Sequence, residues 1–266
     1  MCATCGCGKS DKPSMLTWGR GAAVLSPTPV TLEMLPARES RRIQVEEDIL
    51  AGNNETAHHN RAVFEAQGTL VVNLMSSPGS GKTTLLVETL KRLKDVCRLA
   101  VVEGDQQTSL DADRVRATGV AAVQVNTGKG CHLDAPMVQQ ALEGLPDLHN
   151  GMLFIENVGN LVCPAGFDLG ERFKVVVISV TEGEDKPLKY PDMFAAADLV
   201  VINKMDLATA VGLDMEMLLR NLRRVKPDVA VLQVSARTGQ GLDTWTGWLL
   251  NQRQRRPPTT HVVAEV

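Results

Sequence analysis

Ser76-Ser77-Pro78-Gly79-Ser80-Gly81-Lys82-Thr83 follows an apolar run at residues 70–75 and precedes a helical pattern at residues 84–93. A glycine-rich turn between a buried strand and a helix lets successive backbone N–H groups and the helix N-terminus point at a polyphosphate. Lys82 neutralises charge there, and the Thr83 hydroxyl suits a Mg²⁺ ion. Gly79, Ser80, Gly81, Lys82, Thr83 and Thr84 are therefore the expected phosphate-binding residues. One position departs from the usual pattern, which begins with Gly where this chain has Ser76. Gly79 and Gly81, nearer the phosphates, supply the positive-φ freedom that the turn needs.

Outward from this loop, strand-like apolar runs recur at residues 70–75, 99–102, 121–125, 152–155, 175–180, 199–202 and 229–234, separated by helical patterns. Continuous apolar strands alternating with helices predict an α/β fold, a mostly parallel sheet covered by helices on both faces. With the phosphate loop after the first strand, this is a P-loop NTPase. Four segments follow from the pattern: an N-terminal Cys motif at residues 1–8, a flexible linker at 9–37, the P-loop domain at 38–252 and a disordered basic tail at 253–266. The domain opens with a loosely helical lead-in, Ile43, Ile49, Leu50, Ala57 and Phe64 marking its apolar positions, interrupted near Gly52-Asn53.

The base is chosen farther along. After residues 199–202 come Asn203, Lys204, Met205 and Asp206, the Asn-Lys-x-Asp pattern of guanine recognition. Guanine presents two adjacent N–H donors that the Asp206 carboxylate can accept together; adenine would set an acceptor against it. Ser235 and Ala236, at the end of the last strand-like run, suit a loop that closes over the base. GTP, with GDP as product, is the expected nucleotide. Asp105 and Glu156 end two further apolar runs, at the sheet edge where ligands of parallel sheets collect. They are expected to organise Mg²⁺ with Thr83, or to orient the attacking water, with Lys82, Asp105 and Glu156 as the catalytic set.

Length and charge narrow the class. At 266 residues and a net charge of −3, the chain suits one mid-sized domain with appendages and not a nucleic-acid binder. No stretch approaches the roughly 18 apolar residues of a membrane span, and the N-terminus lacks the basic region and apolar core of a secretory signal. The expected location is the cytoplasm. There, six cysteines point to metal or redox chemistry before disulfides.

Cys2, Cys5 and Cys7 form Cys-x-x-Cys-Gly-Cys, a soft-metal chelator to which a terminal amine could add a fourth donor. Square-planar Ni²⁺ and tetrahedral Zn²⁺ both suit four such donors, and spacing does not choose between them. A redox dithiol is the competing reading, without thioredoxin-like context. Cys131-His132 and Cys163 lie beyond two of the strand ends. Folded together they give three donors, which a second chain would complete; kept apart, they are small buried thiols and a loop histidine. Cys97 reads as packing.

These residues resemble a known family, the hydrogenase nickel-insertion GTPases (HypB family), within the dimerising P-loop proteins that include urease and cobalamin-enzyme accessory GTPases. The likeness covers nearly all of residues 38–252. It rests on Gly128-Lys129-Gly130-Cys131-His132-Leu133-Asp134, on Glu156-Asn157-Val158-Gly159-Asn160-Leu161-Val162-Cys163-Pro164 and on the stretch from Thr181-Glu182-Gly183 to Tyr190-Pro191. Cys2-Ala3-Thr4-Cys5-Gly6-Cys7 matches an extra nickel motif found in some members. What the resemblance implies is a GTP-dependent homodimer that binds nickel, or zinc, at Cys131, His132 and Cys163. With a partner nickel metallochaperone, it would deliver nickel to the large subunit of a [NiFe]-hydrogenase. Service to urease or a cobalamin enzyme, and a non-enzymatic metal buffer, are the alternatives. Members that store nickel carry many histidines after the Cys motif; here the linker has none and only His58 and His59 follow before the phosphate loop, so bulk storage is not expected.

Overall fold

The structure, a computed structural model, describes residues 37–105, 110–128 and 130–255, with side chains from residue 48 onward. Cys2, Cys5 and Cys7, the linker up to residue 36 and the tail beyond residue 255 lie outside the described residues.

In chain order the elements are α1 (Ala37–Gln67), β1 (Leu70–Ser76), α2 (Lys82–Leu93), β2 (Leu99–Asp105), α3 (Leu110–Arg116), β3 (Ala121–Asn126), α4 (Ala135–Leu142) and β4 (Met152–Gly159). Then come β5 (Phe173–Ser179), α5 (Lys186–Lys189), α6 (Pro191–Ala196), β6 (Leu199–Asn203), α7 (Ala208–Val211), α8 (Met215–Val225), β7 (Ala230–Gln233) and α9 (Leu242–Gln254). The seven strands of the described residues join one sheet in the order β3-β2-β4-β1-β5-β6-β7. Every pairing is parallel. Strand β1 sits between β4 and β5: from it the chain goes out through β2 to β3, returns to β4 beside β1, and then goes out on the other side through β5, β6 and β7. That reversal opens a crevice at the carboxyl end of β1, where the phosphate loop leaves.

Alternate strand residues feed opposite faces, as the pleat requires. On one face Val72, Leu74, Val101 and Phe154 pack with Leu86 and Leu90 of α2 and with Trp245 and Leu249 of α9. Cys97 packs against the same cluster, as expected of a structural thiol. Trp245 is fully buried, and its indole N–H donates to Thr89 Oγ1 at 2.8 Å, so its polar edge is satisfied. On the other face, Phe64 of α1 and Val138 of α4 cover β1, β2 and β4, while Phe194, Leu218 and Leu222 of α6 and α8 cover β5 and β6.

Two expectations need correction. Helix α1 runs unbroken through Gly52-Asn53. Asn53 is buried there and works as an anchor: its Nδ2 donates to the Asp168 carbonyl at 2.8 Å and its Oδ1 accepts from Ala135 N at 2.8 Å. Tertiary hydrogen bonds outweigh the poor helix propensity of the pair. Strands β2 and β4 run on past their apolar residues, so Asp105 is the last residue of β2 and Glu156 lies in the C-terminal half of β4, both at the strand ends where they were expected. At the other end of the chain α9 continues to Gln254, past the point where the tail was expected to begin, and Arg253 Nε donates to the Asn150 carbonyl.

Candidate nucleotide and metal site

Residues 76–84 wrap a cleft of about 560 Å³ that Asp105, Val158, Gly159 and Lys204 also line. Gly79 and Gly81 take φ of 77° and 89°, the left-handed region that favours glycine. A Cβ on Gly81 would lie 2.6 Å from Asn203 Nδ2, so the close approach of the two loops needs this residue as well. Ser76 ends β1, buried, with its Oγ donating to the Ser77 carbonyl. The substitution of Gly by Ser at that place is absorbed by the strand.

Helix α2 begins at Lys82, and its first residues point into a slot under the loop. Lys82 Nζ donates to Glu156 Oε1 at 2.8 Å, and Thr83 Oγ1 donates to the same oxygen at 2.5 Å. All three residues are buried. Glu156 Oε2 has no hydrogen-bond partner among the described residues, and neither does Oε2 of Glu103. Glu103 faces Glu156 across the β2–β4 register and is 2 % exposed. Buried carboxylate oxygens without donors are expensive to keep, and oxygen donors beside a hydroxyl suit a hard divalent cation such as Mg²⁺.

Burial first, then the charges of Glu156 and Asp105, push the Glu103 carboxyl up to about 8, against an opposing pull from Lys82. Its ordinary value is 4.5, so between these limits the unfolded chain holds fewer protons than the folded one. Stability must then fall as pH rises through that window, with no penalty below it. We expect Glu103→Gln to raise stability by roughly 4 kcal/mol at pH 8 and by almost nothing near pH 4.5, in denaturant titrations without nucleotide or divalent cation. An equal gain at both values would sink the assignment.

Hydrogen bonds join the phosphate loop to residues 203–206, and these in turn to residues 235–236. Asn203 Nδ2 donates to the Ser80 carbonyl at 3.0 Å, and its Oδ1 accepts from Ala236 N at 3.0 Å. Lys204, at φ 61°, donates from Nζ to the Gly79 carbonyl at 2.7 Å. Ser235 Oγ donates to Asp206 Oδ1 at 2.5 Å, fixing an otherwise exposed carboxylate. Glu182, quoted only as part of a family stretch, also reaches the loop: it accepts from Ser77 Oγ and from Ser179 N.

Cys131, His132 and Cys163 come together: their ligand atoms all lie within 4.8 Å of one another. Cys131 Sγ is 3.6 Å from His132 Nδ1, and the imidazole stacks on Phe167 at 3.8 Å between centroids. Burial lowers the proton affinity of His132, with Asp134 opposing, which favours the neutral, metal-ligating imidazole. Two thiols and an imidazole at this spacing match the soft donor sets of nickel and zinc.

One stretch of chain joins the two centres. Glu156 lies on Lys82 and Thr83, and Gly159 lies so close under Pro78 that a Cβ there would sit 3.1 Å from Pro78 Cα. Asn160 Nδ2 donates to the Cys131 carbonyl at 3.2 Å, and its Oδ1 accepts from Val162 N, beside Cys163. Asn157 Oδ1 accepts from Leu133 N at 3.0 Å. Nine residues from Glu156 to Pro164 therefore touch both the phosphate loop and the Cys131-His132 loop. Sequence spacing could suggest that proximity but not these bonds.

Among known proteins, the family described as CobW/HypB/UreG, nucleotide-binding domain, matches residues 70–233. The hydrogenase maturation factor HypB of Escherichia coli K12 is 50% identical over 288 residues, covering 95% of this chain and 99% of its own length. The factor of the same name from Azotobacter chroococcum mcd 1 is 61% identical over 218 residues, 82% of this chain and 72% of that one. The solved structure of HypB from Helicobacter pylori in complex with nickel superposes with a TM-score of 0.73 at 40% identity, covering 79% of this chain and 99% of that one.

Proposed function

The chain belongs to the CobW/HypB/UreG family, among the HypB hydrogenase maturation factors, and from that premise we propose that it is a GTP-hydrolysing nickel carrier for [NiFe]-hydrogenase maturation. The observation that carries the reading is the Glu156–Pro164 stretch, one end on the phosphate-loop lysine and the other in the Cys131, His132, Cys163 cluster. Whatever moves Glu156 is transmitted to the thiols.

In this account Lys82 and the backbone amides of Gly79, Ser80 and Gly81 take the β- and γ-phosphates, which requires Lys82 and Thr83 to let go of Glu156. Thr83, Asp105 and Glu156 would hold Mg²⁺, which neutralises charge on the phosphates when bound. Glu156 and Asp105 orient the attacking water. Asp206 selects guanine and Ser235 and Ala236 close over it. GTP draws two chains together in the cytoplasm, and the metal set of each, as cargo site, changes geometry with the strand end. Nickel is the cargo favoured by the relatives; zinc is the competitor that thiolates also bind. A metallochaperone partner and the hydrogenase large subunit complete the route, and Cys2, Cys5 and Cys7 supply a second nickel site.

Guanine selection gives the direct test. Asn at 206 offers one acceptor and one donor, where guanine needs two acceptors and xanthine, with an N–H beside a carbonyl, needs one of each. We expect Asp206→Asn to lower kcat/KM for GTP by about 100-fold or more and to raise it for xanthosine triphosphate. Unchanged use of GTP would remove Asp206, and with it guanine selectivity by this motif, from the account.

A further inference from the structure

We propose that Arg114 is a ligand of the nucleotide's phosphate chain, on the phosphate nearest the ribose. The inference rests on the cleft being a guanine nucleotide site. Arg114 lies on α3, outside the phosphate loop and outside both base motifs, yet its side chain lines the phosphate cleft together with Asp111. Its Nη2 donates to Thr84 Oγ1 at 2.9 Å and its Nη1 to Asp111 Oδ1 at 3.1 Å.

Among the described residues, the cations that line the cleft are Lys82, Lys204 and Arg114. Lys204 holds the Gly79 carbonyl, and Lys82 holds Glu156 deep in the slot. A nucleotide polyphosphate brings more negative charge than Lys82 alone neutralises. Arg114 is half exposed and supported by a neutral hydroxyl, a weaker acceptor than a phosphate oxygen, so an arriving phosphate displaces that bond at a net gain. The guanidinium fork makes this exchange possible without leaving Asp111.

Position selects the phosphate. Thr84 lies in the first turn of α2, two residues beyond Lys82, which takes the outer phosphates, and one beyond Thr83, which is assigned to Mg²⁺. A group resting on the Thr84 hydroxyl therefore meets the chain at its inner end, which GDP and GTP share. Arg116 is the internal contrast: it makes the same i,i+3 pair on α3, with Asp113 at 2.9 Å, but does not line the cleft.

The test is fluorescence titration of the full chain with N-methylanthraniloyl GDP and with a non-hydrolysable GTP analogue, alongside thermal melting. Arg114→Ala should raise Kd about tenfold for both nucleotides. Arg114→Lys should recover part of that loss, and Arg116→Ala should bind like the parent. Asp111→Asn breaks the same pair within α3 but frees Arg114, so it should bind as tightly as the parent or more so. The proposal is overturned if Arg114→Ala binds within twofold of the parent, if only the GTP analogue is weakened, or if Asp111→Asn loses as much as Arg114→Ala. A parent chain that binds neither nucleotide would instead overturn the reading of the cleft itself.

Discussion

Lys82→Ala is expected to lower GTP turnover by about 1,000-fold, because it removes the one buried cation, among the described residues, placed to meet the outer phosphates. A second effect separates this lysine from a surface charge. Lys82 is 9 % exposed and Glu156 1 %, and the ion pair between them is 2.8 Å long. Removing one partner leaves a buried carboxylate whose other oxygen already lacks a donor, a situation that costs about 3–5 kcal/mol. The nucleotide-free variant should therefore unfold at lower denaturant concentration than the parent. Adding Glu156→Gln should restore much of that stability, since it removes the uncompensated charge, and none of the turnover. If Lys82→Ala were as stable as the parent, the buried pair would not be a structural element of the resting state.

Cys163→Ala is the second large effect. Cys163 is 3 % exposed at the start of a 3₁₀ turn, Cys163–Gly166, so alanine leaves only a small void. Losing one thiolate from a three-donor set should weaken nickel binding at this site by at least about 100-fold, since even outer-shell changes cost 10- to 100-fold. The titration needs Cys2, Cys5 and Cys7 replaced, so that the N-terminal thiols do not mask the loss. Basal GTP turnover without nickel should stay within a few-fold of the parent, because Cys163 lies outside the phosphate loop and both base motifs in the sequence. Retained nickel affinity would mean that Cys163 is a packing residue and that the cargo site lies elsewhere.

What the sequence makes legible is what chain neighbours encode. Ser76 to Thr83 and Asn203 to Asp206 each carry their chemistry within a few residues, and the seven apolar runs mark seven strands. Glu103 and Glu182 stayed hidden for a different reason. Glu103 matters because parallel register sets it opposite Glu156, and Glu182 because a crossover returns it to Ser77; both are tertiary facts with no local signature. The unbroken course of α1 belongs with them, since Asn53 reads as a helix breaker until Asp168 and Ala135 supply its partners. Cys131, His132 and Cys163 were legible as separate donors, and folding supplies their convergence.

The central claim is that nucleotide state and metal affinity are linked through the Glu156–Pro164 stretch. Its most direct test is a nickel titration of the reduced chain lacking Cys2, Cys5 and Cys7, followed by thiolate-to-metal absorption with GDP and then with a non-hydrolysable GTP analogue. The account predicts that nickel affinity differs between the two states by about tenfold or more, the ~1.4 kcal/mol typical of coupling between sites. Equal affinity in both states, with nucleotide shown to be bound, would contradict it.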